Sequence, residues 1–296
     1  MRVVIHGKKF SKEITKYIIE FITQLEKFNI DVLYMKDFYE NLKKRINYDN
    51  KINAKTISNV RRVKKKIDFF ISFGGDGTIL HAATLVQDLD IPIIGINTGR
   101  LGFLATIAKH EIGNLLKALV NKNYRLSERA LINTSSKDMK FTIPFALNEI
   151  SVSAKENTSM INIKVFLNNE YLNTYWADGL IVSTPTGSTG YSLSCGGPIV
   201  LPKSNNFIIT PIAPHNLNVR PLVISDDTII RIEILDNNSR KFLVSMDSRH
   251  EYLKNSSAIT LKKAKFNIKL LELETNNYSQ TLREKLLWGL DTRNNK

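Results

Sequence analysis

Cysteine is almost missing from this sequence, since Cys195 is the only one among 296 residues. A single cysteine excludes a disulfide within the chain and a metal site built from several thiolates, and it suits a reducing cytosol. No apolar run approaches the roughly 20 residues that a membrane-spanning helix needs. The opening residues, MRVVIHGKKF, are charged too early to form a signal peptide. These absences predict a cytoplasmic protein without a membrane anchor.

Acidic residues are also scarce, with 28 against 42 basic ones and a net charge of +14. A field of this sign attracts polyanions. The densest basic run, residues 61–66 (RRVKKK), contains no aromatic side chain that would stack on a base. We interpret this run as a solvated helix face and expect no specific nucleic-acid partner. Nucleic-acid binding and a field that collects anionic nucleotides are the alternatives.

The first part of the chain alternates short apolar strands with helical stretches. Strands are predicted at residues 3–5, 30–34, 67–73 and 91–96, and a helix is predicted at 79–86. A further helix carries its apolar face on Ile14, Tyr17, Ile18, Phe21, Ile22, Leu25 and Phe28. Alternation of this kind predicts an open α/β sheet of parallel strands with helical crossovers over residues 1–126.

The second part consists of short strands separated by turn signals such as Asn168-Asn169. We expect an antiparallel β domain over residues 127–272. The tail, residues 273–296, has helical periodicity from Tyr278 to Trp288 and is predicted to pack back on the first domain. The predicted strands are residues 141–143, 147–152, 161–167, 180–182, 208–212, 228–234, 241–244 and 266–271.

A glycine-rich turn, Gly74–Thr78 (GGDGT), connects a predicted strand to a predicted helix. Its three glycines let the backbone approach a phosphate, and the following helix adds its positive N-terminal end. A carboxylate at Asp76 is suited to take a proton from an attacking hydroxyl or to help hold magnesium. The alternative is a tight turn with Thr78 as the helix cap and no ligand. The strand–turn–helix context favours phosphate handling.

Two further polar segments interrupt the apolar pattern. Asn148 and Glu149 lie in a predicted strand, where an amide suits adenine and a carboxylate suits ribose hydroxyls. A pair that caps backbone groups at a strand end is an equally open interpretation. The loop from Asp178 to Ser192 is dense in hydroxyls and glycines, which suits a pyrophosphate or a carboxamide. A hairpin turn at Asp178-Gly179 is the simpler alternative.

The three segments, in this order and spacing, resemble the NAD kinase family. Residues 97–104 (NTGRLGFL), 211–222 (PIAPHNLNVRPL) and 286–289 (LLWG) resemble the same family. The glycine turn alone is shared with lipid kinases, but its combination with the other segments is specific. A lipid kinase and a non-catalytic NAD(H) sensor are the rival functions.

The resemblance implies a Rossmann-like N-terminal domain and an all-β C-terminal domain with NAD bound between them. It implies transfer of a phosphoryl group from ATP or polyphosphate to the 2′-hydroxyl of the adenosine ribose of NAD, with Mg²⁺ and with Asp76 as the catalytic base. It also implies a homo-oligomer, a dimer or a tetramer.

The residues implied to contact the dinucleotide or its phosphates extend across both predicted domains. Gly190 stands where many members of the family have alanine. Arg249 stands where many have glutamine, which leaves open whether Arg249 contacts a ligand. His215 and Arg220 either touch phosphate or fix the β domain. The implied contact residues are Gly74, Gly75, Gly77, Thr78, Phe103, Asn148, Glu149, Asp178, Thr189, Gly190, Tyr191, Ser192 and Arg249.

Overall fold

A computed structural model describes residues 1–8, 10–45, 54–99, 102–154, 160–235, 242–253 and 257–288. The chain divides into two compact units. The first unit comprises residues 1–128 together with the C-terminal stretch from residue 268, and the second comprises residues 129–267. The second unit is therefore inserted between two parts of the first.

The elements up to residue 129 alternate between strand and helix in their first half. They are β1 (Arg2–Gly7), α1 (Lys12–Lys27), β2 (Asp31–Met35), α2 (Lys36–Arg45), β3 (Lys55–Ile57), β4 (Phe69–Gly74), α3 (Asp76–Val86), β5 (Ile93–Asn97), β6 (Ile107–Ala108), α4 (Ile112–Asn121) and β7 (Tyr124–Arg129).

The elements of the second unit are mostly strands. They are β8 (Ile132–Ser136), β9 (Phe145–Ala146), β10 (Glu149–Ala154), β11 (Ile161–Leu167), β12 (Glu170–Ala177), β13 (Gly179–Ser183), α5 (Tyr191–Ser194), β14 (Asn206–Ile212), β15 (Leu222–Ser225), β16 (Ile230–Leu235), β17 (Phe242–Met246), β18 (Arg249–Leu253) and β19 (Ala258–Lys263). The chain then returns to the first unit with β20 (Ile268–Leu273) and α6 (Tyr278–Leu286). Short 3₁₀ turns lie at Val60–Arg62, Lys109–Glu111 and Thr186–Thr189.

The first unit is built on one sheet with the strand order β3-β2-β1-β4-β5-β20-β7, and β6 pairs with β5. The contacts of β1 with β2 and β4, and of β5 with β4, β6 and β20, are parallel. This confirms the predicted α/β sheet, and the order 3-2-1-4-5 is that of a Rossmann-like fold. The order reverses between β1 and β4, so their carboxyl ends mark the edge where such folds bind ligands.

Helix α1 follows its predicted apolar face in all but its last residue. Ser11 caps its N-terminus, accepting a hydrogen bond from the backbone N–H of Ile14 at 3.3 Å. Ile18, Phe21 and Leu25 are fully buried. The helix ends at Lys27, so Phe28 leaves the buried stripe and is 52% exposed. Its predicted place in that stripe is wrong.

The second unit contains two antiparallel sheets, which confirms the predicted β class. Their orders are β15-β14-β13-β10-β17-β18 and β12-β11-β16-β19-β8-β9. Buried side chains from both sheets, such as Val152, Ile163 and Phe242, form one hydrophobic core. The turn predicted at Asn168-Asn169 joins β11 to β12, and both residues have positive φ, as a tight hairpin requires.

One strand assigned to the β domain belongs elsewhere. The segment predicted as residues 266–271 is β20, which pairs in parallel with β5 in the sheet of the first unit. Leu270 and Leu271 are both buried, although neighbouring residues of a strand point to opposite faces. A strand covered on both faces is typical of a parallel sheet, and periodicity alone does not reveal which sheet it joins.

Three local predictions are also wrong. Residues 141–143 are not a strand, although Phe141 is buried in the core of the β unit. The predicted strand at 147–152 is interrupted by a bend at Leu147 and Asn148, which separates β9 from β10. The basic run 61–66 is exposed as expected, but it continues a 3₁₀ turn as irregular chain and forms no helix face.

Some predicted positions lie outside the described residues, namely Arg100, Leu101, Lys241 and Gly289. Among the helices that the structure does describe, none is both long and apolar enough to span a membrane.

Candidate active site

The glycine turn lies where the sheet order reverses, at the carboxyl end of β4. Gly75 is the N-cap residue of α3. A side chain at Gly74 would overlap Thr78 Oγ1, whereas a Cβ at Gly75 or Gly77 would meet no described atom within 4 Å. Packing therefore requires the first glycine, and the other two leave open space beside the helix N-terminus. Such a space suits a phosphate group.

Asp76 is the first residue of α3, and its carboxylate is held by a neighbouring loop. Its Oδ2 accepts a hydrogen bond from the backbone N–H of Phe103 at 2.8 Å. Its Oδ1 accepts hydrogen bonds from the backbone N–H groups of Leu104 and Ala105, both at 3.0 Å. A Cβ on Gly102 would overlap Oδ1. The structure therefore brings the predicted residues Asp76 and Phe103 together, and it adds Gly102, which the sequence analysis did not single out.

The loop that holds Asp76 is itself fixed by Asn97, at the end of β5. The buried Asn97 side chain accepts a hydrogen bond from Gly99 N at 2.7 Å and donates one to Ala105 O at 3.3 Å. Half-buried Phe103 lies with its ring centroid 6.4 Å from that of Tyr278 in α6. Position 97 lies in a segment that resembles the family, but its bonding partners become visible only in the fold.

A histidine pair joins α3 to the sheet near the glycine turn, with His6 buried and His81 half-buried. His6 Nδ1 lies 3.2 Å from Ser72 Oγ, and His6 Nε2 lies 3.0 Å from His81 Nδ1. Burial, the neighbouring His81 and the charge of Lys8 lower the pKa of His6 to about 3. The neutral ring of His6 thus links β1, β4 and α3, a connection that the sequence analysis missed because its members are far apart in the chain.

In the second unit, Asn148 and Glu149 flank the start of β10 with unsatisfied polar atoms. Asn148 Oδ1 and Glu149 Oε2 are buried, and each has no hydrogen-bond partner among the described residues. A buried polar atom without a partner costs roughly 1–3 kcal/mol. Such atoms are explained when a ligand supplies the missing donors, which agrees with the predicted dinucleotide contacts.

Hydrogen bonds hold residues 183–190 against the bend at Leu147 and Asn148. Thr184 Oγ1 donates to Leu147 O at 2.6 Å, and Thr184 N donates to Asn148 O at 2.8 Å. Gly187 N donates to Thr184 Oγ1 at 3.1 Å, and a side chain at Gly187 would overlap Asn148 O. The predicted loop from Asp178 to Ser192 begins as strand β13 and continues as short helical turns. Asp178-Gly179 joins strands of different sheets, which excludes a simple hairpin.

The carboxyl group of Glu149 has a pKa well above its ordinary value. Burial and the charge of Asp247 raise its pKa to about 7, against a hydrogen bond from the backbone N–H of Tyr191 that favours the charged form. A Cβ on Gly190 would lie 2.9 Å from Glu149 Oε2. Glycine at this position therefore leaves the carboxylate more room than the frequent alanine would.

Tyr191 and Cys195 lie near Glu149, and Asp178 lies near Tyr191. Tyr191 is 47% exposed and Asp178 is exposed. Burial raises the pKa of Tyr191, and the charges of Cys195, Asp178 and Glu149 raise it further. Thr189 is half-buried, with its hydroxyl 3.4 Å from Thr186 O. These positions suit the predicted contacts with a polar ligand.

The polar groups of Ser192 and Arg249 already bond to other protein atoms. Ser192 is fully buried, and its Oγ lies 2.8 Å from Thr210 Oγ1. Arg249 donates to Ile143 O at 2.7 Å and to Phe145 O, and its guanidinium lies near Asp247. Both side chains therefore support the segments next to the site. The ligand contacts that the resemblance implies for them would require these bonds to change.

His215 and Arg220 make bonds within their own β unit. The backbone N–H of His215 donates to Trp176 O at 2.8 Å, and the two rings lie 4.2 Å apart. Arg220 donates to Leu217 O at 2.6 Å and to Val219 O at 2.8 Å. Of the two interpretations left open, these contacts favour a role in fixing the β unit.

The pKa of Glu149 predicts a pH-dependent cost to stability. Its ordinary value is 4.5, so the folded chain favours the neutral form, and the cost of the charge develops as pH rises from 4.5 to 7. Glu149→Gln removes that charge and should stabilise the fold by roughly 2–3 kcal/mol at pH 8 but under about 1 kcal/mol at pH 5. Denaturant unfolding at both pH values measures this. Equal effects at the two pH values would contradict it.

Comparison with known proteins places both units in one family. The family model of the ATP-NAD kinase N-terminal domain matches residues 3–124, and the family model of the ATP-NAD kinase C-terminal domain matches residues 147–273. The NAD kinase of Christiangramia forsetii is 46% identical, covering 99% of this chain and 100% of the relative. A NAD kinase of Bacteroides fragilis is 39% identical over 99% of this chain and 100% of the relative.

Solved structures agree with this placement. A NAD kinase from Archaeoglobus fulgidus in complex with ATP superposes with a TM-score of 0.74 at 27% identity, covering 97% of this chain and 99% of its own. Yeast NADH kinase complexed with NADH has the same fold, with a TM-score of 0.88 at 24% identity over 100% of this chain and 90% of its own. The chain belongs to the NAD kinase family.

Proposed function

We propose that this chain transfers the terminal phosphoryl group of ATP to the 2′-hydroxyl of the adenosine ribose of NAD, yielding NADP and ADP. The observation that carries the proposal is the position of Asp76. It is a carboxylate held by three backbone N–H groups at the N-terminus of a helix that follows a glycine turn. This arrangement combines a proton acceptor with a phosphate-binding backbone.

Asp76 has one acceptor position left for the reaction. A carboxylate offers about four lone-pair sites, and backbone N–H groups occupy two on Oδ1 and one on Oδ2. The remaining site on Oδ2 accepts the proton of the 2′-hydroxyl. The hydroxyl oxygen then forms a bond to the γ-phosphorus, the bond from phosphorus to the bridging oxygen breaks, and ADP leaves with that oxygen.

The phosphoryl donor fits the glycine turn, and Mg²⁺ fits with it. Magnesium in kinases is usually held by one or two carboxylates together with substrate phosphates and water. Among the described residues no group of three or more acidic, histidine or cysteine side chains forms a metal site. Asp76 is the carboxylate next to the open space at Gly75 and Gly77. Mg²⁺ would neutralise charge on the phosphates there.

The NAD side of the reaction is supported by Asn148 and Glu149. Their unsatisfied atoms, Asn148 Oδ1 and Glu149 Oε2, are acceptors, so they select a ligand that offers donors. An adenine amino group and ribose hydroxyls are such donors. Tyr191 adds a polar group beside Glu149, and Gly190 keeps the approach to Glu149 open.

Replacing Asn148 or Glu149 by alanine is expected to weaken NAD binding by roughly 1–3 kcal/mol, because donors on the ligand lose a buried acceptor. Isothermal titration calorimetry with NAD measures the change. Asn162→Ala and Glu170→Ala, at exposed positions of β11 and β12, are the matched controls and should bind NAD normally. Unchanged affinity in both site variants, with the fold intact, would leave the pair a purely structural role.

The direct test is an assay of the purified protein with Mg²⁺, NAD or NADH, and ATP or inorganic polyphosphate. We expect NADP to form and activity to disappear when a chelator removes the metal. Phosphorylation of diacylglycerol or sphingosine instead would show a lipid kinase. Tight NAD binding without NADP formation would show a non-catalytic sensor.

We further propose a cytoplasmic homo-oligomer. Large apolar side chains on the β unit, Trp176, Val223 and Leu217, are 45%, 43% and 87% exposed, which supports burial against another copy. The free thiol of Cys195 supports a reducing compartment. Light scattering that gives a monomer mass would contradict the first proposal, and recovery outside the cytoplasm after cell fractionation would contradict the second.

A further inference from the structure

The hairpin turn between β17 and β18 places a buried carboxylate directly against the NAD-binding segment. Asp247 has a side chain only 3% exposed and a φ of 52°, in a two-residue turn. Its Oδ2 accepts a hydrogen bond from Leu147 N at 2.9 Å, and its Oδ1 accepts from Asn148 N at 2.8 Å and Glu149 N at 3.3 Å. Its own backbone N–H donates to Glu149 O at 3.0 Å.

These bonds make Asp247 the partner of three consecutive amides that no strand ladder satisfies. The bend at Leu147 and Asn148 breaks the strand, so its N–H groups need another acceptor. Thr184 holds the carbonyl side of the same bend through Leu147 O and Asn148 O. The direction in which Asn148 and Glu149 present their side chains is thus fixed by one carboxylate on one side and one threonine on the other.

Asp247 also acts on Glu149 through its charge. Burial raises the pKa of Asp247, while the three N–H donors and the guanidinium of Arg249 favour its charged form. That charge faces Glu149 from the hairpin turn, Tyr191 at the start of α5 and Cys195 just after its end also lie near Glu149, and Asp178 lies near Tyr191. Of these groups, Asp247 raises the pKa of Glu149 most after burial itself.

We propose that Asp247 is a positioning residue for dinucleotide binding, which orients the bend at residues 147–149 and thereby fixes the direction of the Asn148 and Glu149 side chains. The proposal rests on the proposed role of Asn148 and Glu149 in NAD recognition. Ribose hydroxyls donate to a carboxylate, so binding requires ionised Glu149. Its pKa of about 7 makes KM for NAD rise as pH falls below neutrality, in inverse proportion to the ionised fraction of Glu149.

The test is Asp247→Asn, which keeps one acceptor oxygen, tolerates the positive φ and removes the charge. We expect KM for NAD at pH 8 to rise by roughly 5- to 50-fold while KM for ATP stays nearly unchanged. The inflection in the plot of KM for NAD against pH should also move to lower pH by on the order of one unit, because a neighbouring negative charge is gone. A purely structural role would not move that inflection.

Asp226→Asn is the matched control, since Asp226 is a buried carboxylate of the same unit, ion-paired to Lys263 at 2.6 Å outside the site. It should change melting temperature without changing KM for NAD or its pH profile. Should Asp247→Asn fail to fold, Asp247→Gly keeps the turn, because glycine adopts a φ of 52° without strain. Its KM for NAD should rise further than that of Asp247→Asn.

Glu149→Gln separates this proposal from the one on which it rests. It should abolish the pH inflection of KM for NAD both in the wild-type chain and in the Asp247→Asn variant. If Glu149→Gln changes KM and its pH profile but Asp247→Asn changes neither, the positioning role of Asp247 is wrong while NAD recognition stands. If Glu149→Gln leaves both quantities unchanged, the proposed recognition of NAD by Glu149 is itself wrong.

Discussion

Asp76→Asn is expected to lower kcat by roughly 10²-fold or more while NAD still binds. The amide keeps an oxygen for Leu104 N and Ala105 N but replaces the one acceptor position that is free for the hydroxyl proton. The loss should therefore appear in the chemical step. Steady-state kinetics together with NAD calorimetry measure the two effects separately.

Asn162→Ala, at an exposed position near the start of β11, is the control for preparation quality and should keep normal kcat. Near-normal turnover of Asp76→Asn would show that the carboxylate serves only to hold the loop at Phe103–Ala105. A loss of NAD affinity equal to the loss of kcat would show that the substitution disrupts binding instead of proton transfer.

Gly102→Ala is expected to reduce activity nearly as far, although it replaces no predicted catalytic residue. The new Cβ would overlap Asp76 Oδ1 and its carboxyl carbon, so the carboxylate or the loop must move. A shift of about 1 Å in a reacting group costs on the order of 10²-fold in rate. Overpacking also destabilises proteins by typically about 1–3 kcal/mol. Kinetics and thermal unfolding of the same preparation measure both changes.

Gly99→Ala is the matched control on the same loop, because a Cβ there would meet no described atom within 4 Å. It should retain activity and stability. Wild-type kcat in Gly102→Ala, with Asp76 still required for activity, would show that the bonds from the loop to the carboxylate do not set its catalytic position.

The sequence predicted those parts of the candidate site whose residues are adjacent to one another along the chain. The turn at Gly74–Thr78 and the class of both units were recognised because strand, turn and helix signals follow one another directly. Asn148 and Glu149 were recognised as polar residues in an apolar segment, although the segment is a bend between two strands instead of one strand. Local signals therefore identify candidate side chains without revealing the backbone conformation that carries them.

Contacts between distant segments escaped the sequence analysis for a physical reason. The bonds from the loop at Phe103–Ala105 to Asp76, and from Asp247 to the bend at Asn148, join residues that no periodicity connects. The resemblance implied a ligand contact for Arg249 but left it open. The guanidinium donates instead to the backbone carbonyls of Ile143 and Phe145, and these bonds depend on how β9 packs near β18. Such partners are decided by tertiary packing and leave no pattern in the local sequence.

The place of β20 in the sheet also constrains the order of events during synthesis. It lies between β5 and β7, and Leu270 pairs with Ile93 only after the whole β unit has left the ribosome. Until then β5 and β7 lack the strand that joins them, and nascent residues 1–128 expose an unpaired strand edge. The β unit, whose strands pair among themselves, is free to form first. The α/β sheet that carries Asp76 is consequently completed last, when the C-terminal strand closes it.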